Sequence, residues 1–504
     1  MRNYLSYYLL LLIFPVSFVL HGVNENAGLI SASVSGRLLL IYSAITLVIA
    51  VVSYFIFRSR ARAFFFSFLL LVLYFLFGVF KDLVPDTAIF HMLTRYAVLL
   101  PLLVILLLVL VMYMKRRQVH VEKPVKIMSI FLLINLTMET GWLVYNLASN
   151  ANQQQDFGDH HHQQVKNFRP DIVMNRPDVF WFVFDEYAAS RTLQKVWKFN
   201  NPLDSMLRFR QFWVADSAMS NYNVTHYSLV STLDMVYLNG LHQHSVVTLK
   251  DLARGTYSIY DNNVLQVFGK AGYAVNNHTI FNFKDHISRG MISFKDVPES
   301  LLDFQTLGGR IQHDIGWNFP TLLAFNKQQA DSLVEIRFLQ QLDTAYDALI
   351  NRSIRGLEQA ALKQDPSAFL FHFMIPHEPF MYNADGTVAY KNGFSIAPEN
   401  YIEHVKYTNT VITRLVDTIL AKYRQRDIVI VLQGDHGFKF REDDPLYDKE
   451  SCAILYAVYC SDGDYSPWYN TISSVNGFRV LFNKYFNTRF PILRDTSYTL
   501  YYRK

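Results

Sequence analysis

Residues 179–186 read Val-Phe-Trp-Phe-Val-Phe-Asp-Glu, six apolar residues without interruption followed by two carboxylates. An unbroken apolar run of this length predicts a strand covered on both faces, as in a parallel sheet. Two further runs repeat the pattern. Ala368–Ile375 opens onto Pro376-His377-Glu378-Pro379, and Ile428–Leu432 opens onto Gln433-Gly434-Asp435-His436-Gly437. Helical patterns lie between them at Ser258–Lys270, Asp331–Ile350 and Asn400–Tyr423, the last with apolar residues at 402, 405, 412, 415, 416 and 419. Strands alternating with helices predict a doubly wound α/β domain, whose ligands bind at the carboxyl ends of its strands.

Three strand ends therefore release acidic or imidazole side chains into loops: Asp185 and Glu186, His377, and Asp435 with His436. Singly each is weak, because a carboxylate after a strand is often only a helix cap. Together they suit one or two divalent cations of the zinc, manganese, magnesium or calcium group. Such a cation polarises a phosphoryl oxygen and lowers the pKa of an attacking hydroxyl.

A nucleophile is expected nearby. The stretch Ser220-Asn-Tyr-Asn-Val-Thr225-His-Tyr-Ser228 precedes apolar residues at 229, 230, 233, 236 and 237, a helical spacing. Thr225 then stands at a helix N-terminus, where free N–H groups and the dipole favour an anion. Equally, Asn223 or Thr225 there is a simple cap. His226 reads as a neighbour of that position, and His404, inside the 400–423 helix, as solvent-exposed.

The first 150 residues are of another kind. Five apolar segments fill them, Tyr4–Leu20, Leu38–Phe57, Ala63–Phe80, Tyr96–Met114 and Ile127–Leu147, each near the ~20 residues that cross a bilayer core. Basic residues alternate between the loops. Arg2, Arg58, Arg60, Arg62, Lys115, Arg116, Arg117, Lys123 and Lys126 fall on one side, and only Arg37, Lys81 and Arg95 on the other. The positive-inside rule makes the N-terminus cytoplasmic and everything after about residue 148 extracytoplasmic. Asn135 and Glu139, four apart on the fifth segment, share a helix face and read best as interhelical hydrogen-bonding groups. The expected organisation is a five-helix transmembrane domain (1–148), a polar linker (149–176) containing His160, His161 and His162, and an α/β domain (177–504).

Composition narrows the function classes. Hydrophobic residues are 51% and charged residues 18% of 504, too apolar for a disordered chain. The net charge of +5 includes no basic block outside the membrane loops, which argues against nucleic acid as a partner. Cys452 and Cys460 cannot build a disulfide framework. If they share one strand they stand about 26 Å apart at 3.3 Å per residue, too far to bridge.

Asp-Glu after the first strand, Thr-x-x-Ser opening a helix some forty residues later, Pro-His-x-Pro-Phe and then Asp-His-Gly resemble the sulfatase-like branch of the alkaline phosphatase superfamily. Membrane helices ahead of such a domain are similar to the layout of lipoteichoic acid synthases and lipid A phosphoethanolamine transferases. The resemblance implies metal ligation by Asp185, Glu186, Asp435 and His436, covalent loading of Thr225, and substrate contact or leaving-group protonation by His377. It implies a multi-pass bacterial-type cytoplasmic membrane enzyme that moves a phospho-headgroup from a membrane lipid donor to an envelope lipid or glycan acceptor. A sulfatase-like hydrolase is the first alternative and a non-catalytic envelope binding protein the second. Two departures bear on this. The Cys/Ser-x-Pro-x-Arg nucleophile motif of true sulfatases is replaced by Thr225-His-Tyr-Ser, and two cysteines cannot reproduce the several disulfides common in periplasmic phosphoethanolamine transferases.

Overall fold

The computed structural model describes residues 5–84, 94–117, 120–149, 157, 165, 168–169, 176–289, 297–315, 344, 348–359, 365–389 and 398–502. The chain forms two compact units, one of residues 1–155 with 296–320, the other of residues 156–295 with 321–504. The second stretch of unit 1 falls inside the region expected to be wholly α/β domain. Most of the expected linker, its three histidines included, and most of the expected 331–350 helix lie outside the described residues, although Phe157 and Val165 of the linker are buried in the core of unit 2.

In unit 1, three helices are long and apolar enough to cross a membrane: Ala32–Phe57, Tyr96–Arg116 and Glu122–Ala148. The first expected segment is the helix Leu5–Glu25, whose described apolar part, Leu10–Glu25, is shorter. The third is interrupted. Its helix Arg60–Phe75 stops at Leu76, and a six-residue helix Phe77–Asp82 follows. Leu102, Ile105, Leu106 and Val109 of the fourth segment are exposed, a surface suited to lipid rather than water. Glu139 joins two helices as expected: Oε1 lies 2.9 Å from His21 Nδ1, and Oε2 accepts from Asn24 Nδ2 at 2.8 Å.

Unit 2 is built on a six-stranded mixed sheet. Its strands are β1 (Asp178–Phe184), β2 (Trp213–Val214), β4 (Ala274–His278), β5 (Ser367–Phe373), β6 (Ile428–Gly434) and β7 (Tyr456–Cys460), in the order β2-β7-β6-β1-β5-β4. Strands β6, β1, β5 and β4 are parallel, whereas β7 and β2 add an antiparallel edge. A small parallel pair joins β3 (Val246–Val247) to β8 (Tyr501–Tyr502).

Alternation along β1 sorts its side chains. Phe180, Phe182 and Phe184 stack on Phe369, Phe371 and Phe373 of β5, with ring centroids 5.0, 4.8 and 5.5 Å apart. This face packs under the helix Pro398–Lys422 through Tyr401, Val405, Ile412 and Leu415. Val179, Trp181 and Val183 face the other way, toward helices Thr225–Asp234, Asn263–Lys270 and Ser474–Tyr485. Burial on both faces is why these strands carry no polar alternation. The register is what positions the site, because Phe184 pairs with both Phe373 and Gly434 and so aligns three strand ends.

Three local expectations are corrected. The helix expected over 258–270 breaks at Asp261, and Asn262 caps a new helix by accepting from Leu265 N. His404 is buried, its ring packed among Phe380, Tyr382 and Tyr407, because its helical face lies under the loop after β5. Cys452 and Cys460 do not bridge, as expected, and both are buried, but β7 starts only at Tyr456, so they do not share one strand.

Candidate active site

Asp185 and Glu186 leave β1, and Asp435 and His436 leave β6. The Glu186 backbone, at φ +62°, is in the left-handed region that few side chains adopt. Its amide donates to Asp435 Oδ1 at 3.0 Å, and the His436 amide donates to the same oxygen at 2.9 Å. Glycines flank the pair for steric reasons. A Cβ at Gly434 would lie 2.6 Å from the Tyr187 carbonyl, and one at Gly437 would lie 2.4 Å from the Glu450 carbonyl.

His436 Nδ1 is 2.7 Å from its neighbour's carbonyl at Gly437. Donation there leaves Nε2 as the open nitrogen, 3.5 Å from Asp185 Oδ1 and 3.7 Å from Asp435 Oδ2. His377 is arranged in the same way: Nδ1 lies 2.6 Å from the Glu378 carbonyl, and Nε2 lies 3.8 Å from Glu186 Oε2. His372, inside β5, approaches Asp185 Oδ2 with Nε2 at 3.2 Å. Sequence reasoning missed His372. Its one signal was an imidazole in an otherwise apolar strand, which also fits a core histidine.

Charge at this site is dominated by burial. Burial raises the Glu186 carboxyl, and His377 and His436 do not fully offset it. Asp435 is likewise pushed up, by burial first and by Asp185 next. For Asp185, burial is outweighed by His377, His372 and His436, which hold it well below the usual carboxylate range. His377 is pushed up to about 9, because Asp185 and Glu186 overcome its burial.

These groups fit a cation. Asp185 Oδ1, Asp435 Oδ2 and Glu186 Oε2 are fully buried and accept no hydrogen bond among the described residues, and Asp185 Oδ2 meets only His372. Buried anionic oxygens without partners are strongly unfavourable unless positive charge is supplied. Two sets bring their ligand atoms within 4.8 Å of one another, Asp185 with His377 and His436, and Asp185 with His372 and Asp435. Both share Asp185 and omit Glu186, whose Oε1 accepts from Lys439 N at 2.7 Å.

Thr225 is half-buried at the first residue of its helix, as expected. One turn on, the Ser228 hydroxyl donates to the Asp435 carbonyl, which ties the helix to the loop after β6. His226 is buried and pushed down to about 4 by burial, against the field of Asp185. A cleft of about 410 Å³ opens beside His436, lined by Asn223, Glu378, Lys439, Arg441 and Tyr447 among others.

The family model for sulfatases matches residues 192–480, from just after the first acidic pair into the helix Ser474–Tyr485. The chain belongs to the sulfatase family. Among solved structures, the sulfatase-family chain is similar to the C-terminal periplasmic domain of EptC from Escherichia coli, in complex with Zn. Identity there is 12% over 66% of this chain and 90% of that one, with a TM-score of 0.38. It is also similar to the integral membrane lipooligosaccharide phosphoethanolamine transferase A of Neisseria meningitidis, at 12% identity over 96% and 95% of the two chains and a TM-score of 0.35. A third is the periplasmic domain of phosphoethanolamine transferase EptC from Campylobacter jejuni, at 14% identity over 63% and 92%, with a TM-score of 0.34. No curated protein sequence matches the chain.

Proposed function

We propose that this sulfatase-family chain is a membrane-anchored, metal-dependent transferase that moves a phospho-headgroup from a lipid donor to an envelope lipid or glycan. The observation that carries the reading is the convergence of buried Asp185 Oδ1 and Asp435 Oδ2, which accept no hydrogen bond among the described residues, on the open Nε2 of His436. Asp185, Asp435 and His436 would hold one divalent cation. His372 or His377 would complete the set, and Glu186 Oε2 is within reach of His377. The cation, when bound, would polarise the phosphoryl group and acidify a nearby hydroxyl.

In the proposed reaction Thr225 Oγ gives up its proton to water and forms a bond to the donor phosphorus while the bond from phosphorus to the lipid oxygen breaks. The helix N-terminus at Thr225 favours the resulting anionic adduct. His377, beside Glu186, is placed to give a proton to the departing lipid oxygen when His372 and not His377 completes the cation's ligand set. In the second half the acceptor hydroxyl loses its proton to the now neutral His377 and attacks phosphorus, and the Thr225 oxygen leaves and takes up a proton from water. The five crossings expected from the sequence, with the domain outside the cytoplasm, would suit this chemistry, since a lipid donor must be presented at the membrane surface. A soluble hydrolase would need only one anchor.

Membranes carrying phospholipids labelled in the headgroup, incubated with the purified full chain, test the reading. Label first on Thr225 and then on a lipid or glycan is expected. Label released only as a free small molecule makes the protein a hydrolase, the reading that membership of the sulfatase family favours.

A further inference from the structure

Residues 297–315 are distant in sequence from the membrane helices, yet they belong to the same compact unit. They form two short helices, Val297–Asp303 and Leu307–Ile315, joined by a turn at 304–306. Neither is long or apolar enough to span a bilayer.

The turn is seated among the helices of unit 1. The Gly78 amide donates to the Gln305 carbonyl at 2.9 Å, and the Tyr42 hydroxyl donates to Asp303 Oδ1 at 3.1 Å. Arg310 is 8% exposed in its side chain. It pairs with Asp82, donates through Nε to the Phe304 carbonyl at 2.9 Å, and lies 3.8 Å from the Phe304 ring centroid. Thr306 closes the turn by donating to the Asp303 carbonyl at 2.8 Å and accepting from Gly309 N at 3.0 Å.

The receiving helices are shaped for this contact. A Cβ at Gly78 would stand 3.0 Å from both Gln305 Cα and the Phe304 carbonyl, so any larger residue there meets backbone. A Cβ at Gly22 would stand 1.7 Å from Leu302 Cδ2. Tyr42 lies about 15 Å along its helix from Ala32, at 1.5 Å per residue. A carboxylate packed among these apolar helices needs hydrogen bonds. Tyr42 and Thr306 supply them to Asp303.

We propose that residues 297–315 are a strap, a helical hairpin that the catalytic part of the chain sends back into the membrane unit and that the bundle is built to receive. The chain then crosses between units at 155–156, 295–296 and 320–321 instead of once. A domain held by one flexible linker searches a wide volume, and added attachment points raise the effective concentration of its site at the membrane. The strap is independent of whether the enzyme is a transferase or a hydrolase.

The test uses the full chain in detergent, tagged at its N-terminus, with specific protease sites introduced within 150–156, 290–296 and 321–330. After cleavage the peptide spanning 297–320 is expected to remain on the affinity resin with the N-terminal fragment. Its appearance in the flow-through, or with the catalytic fragments, overturns the proposal. Asp82→Arg and Arg310→Asp should each lower retention about tenfold by stranding a charge, and combining them should restore it. Gly78→Leu should release the peptide, and full retention in that variant would refute the seating of the turn. No step reads catalysis, so the result stands apart from the reaction proposed above.

Discussion

The Glu186 amide and the Asp435 carboxylate meet at 3.0 Å although 249 residues separate them in the chain. This bond fastens the ends of β1 and β6 together and spends only Oδ1 of Asp435. Oδ2 is left facing His436, buried and without a hydrogen bond among the described residues. The site is therefore preassembled by backbone, and its unmet need is for positive charge.

Asp435→Asn separates these two roles. It keeps an oxygen for the Glu186 and His436 amides but removes the charge. The variant should fold and lose its cation, with transfer abolished, when metal content is measured by elemental analysis of the purified full chain. Retained metal would remove Asp435 from the ligand set. His372→Phe, which preserves the packing of β5, should weaken cation binding roughly 10- to 100-fold, as when an orienting partner of a ligand is lost.

Thr225→Ala should abolish both the covalent adduct and turnover, and Thr225→Ser should keep part of each. Intact-protein mass spectrometry after mixing with donor lipid reads the adduct. Unchanged turnover in Thr225→Ala would dismiss it as nucleophile; a capping role is already excluded, since Val224 holds the cap position and no side chain caps this helix.

Acid should destabilise unit 2 through histidines that the proposed reaction does not use. Burial pushes His404 down to about 3 and His278 to about 4, from an ordinary value of 6.5. Between those values and 6.5 the unfolded chain binds protons that the folded chain cannot, so stability is full above about pH 6.5 and falls as pH drops. Melting temperatures measured from pH 4 to 7 should show this slope. His404→Phe, matched to its aromatic surroundings, should flatten it.

The topology prediction rests on the nine-to-three division of basic residues between alternate loops. A reporter active only in the cytoplasm should work when fused after Arg62 and fail when fused after Leu147. The opposite pattern would place the α/β domain in the cytoplasm.

The sequence by itself determined the strands β1, β5 and β6, because a strand buried on both faces is written as one unbroken apolar run. It also determined the carboxylates and histidines that follow those strands, since parallel topology releases them at one edge of the sheet. Tertiary structure decided the rest. His372 is indistinguishable from core in sequence, and only the register of β1 on β5 brings it to Asp185. His404 is buried by a loop that its own helix pattern cannot reveal. Residues 297–315 carry no membrane-length apolar run, and their seat is made by Gly22, Tyr42, Gly78 and Asp82, more than 200 residues earlier in the chain. Periodicity reports which face of an element is buried, whereas the partner that buries it is chosen by shape and charge across the whole chain.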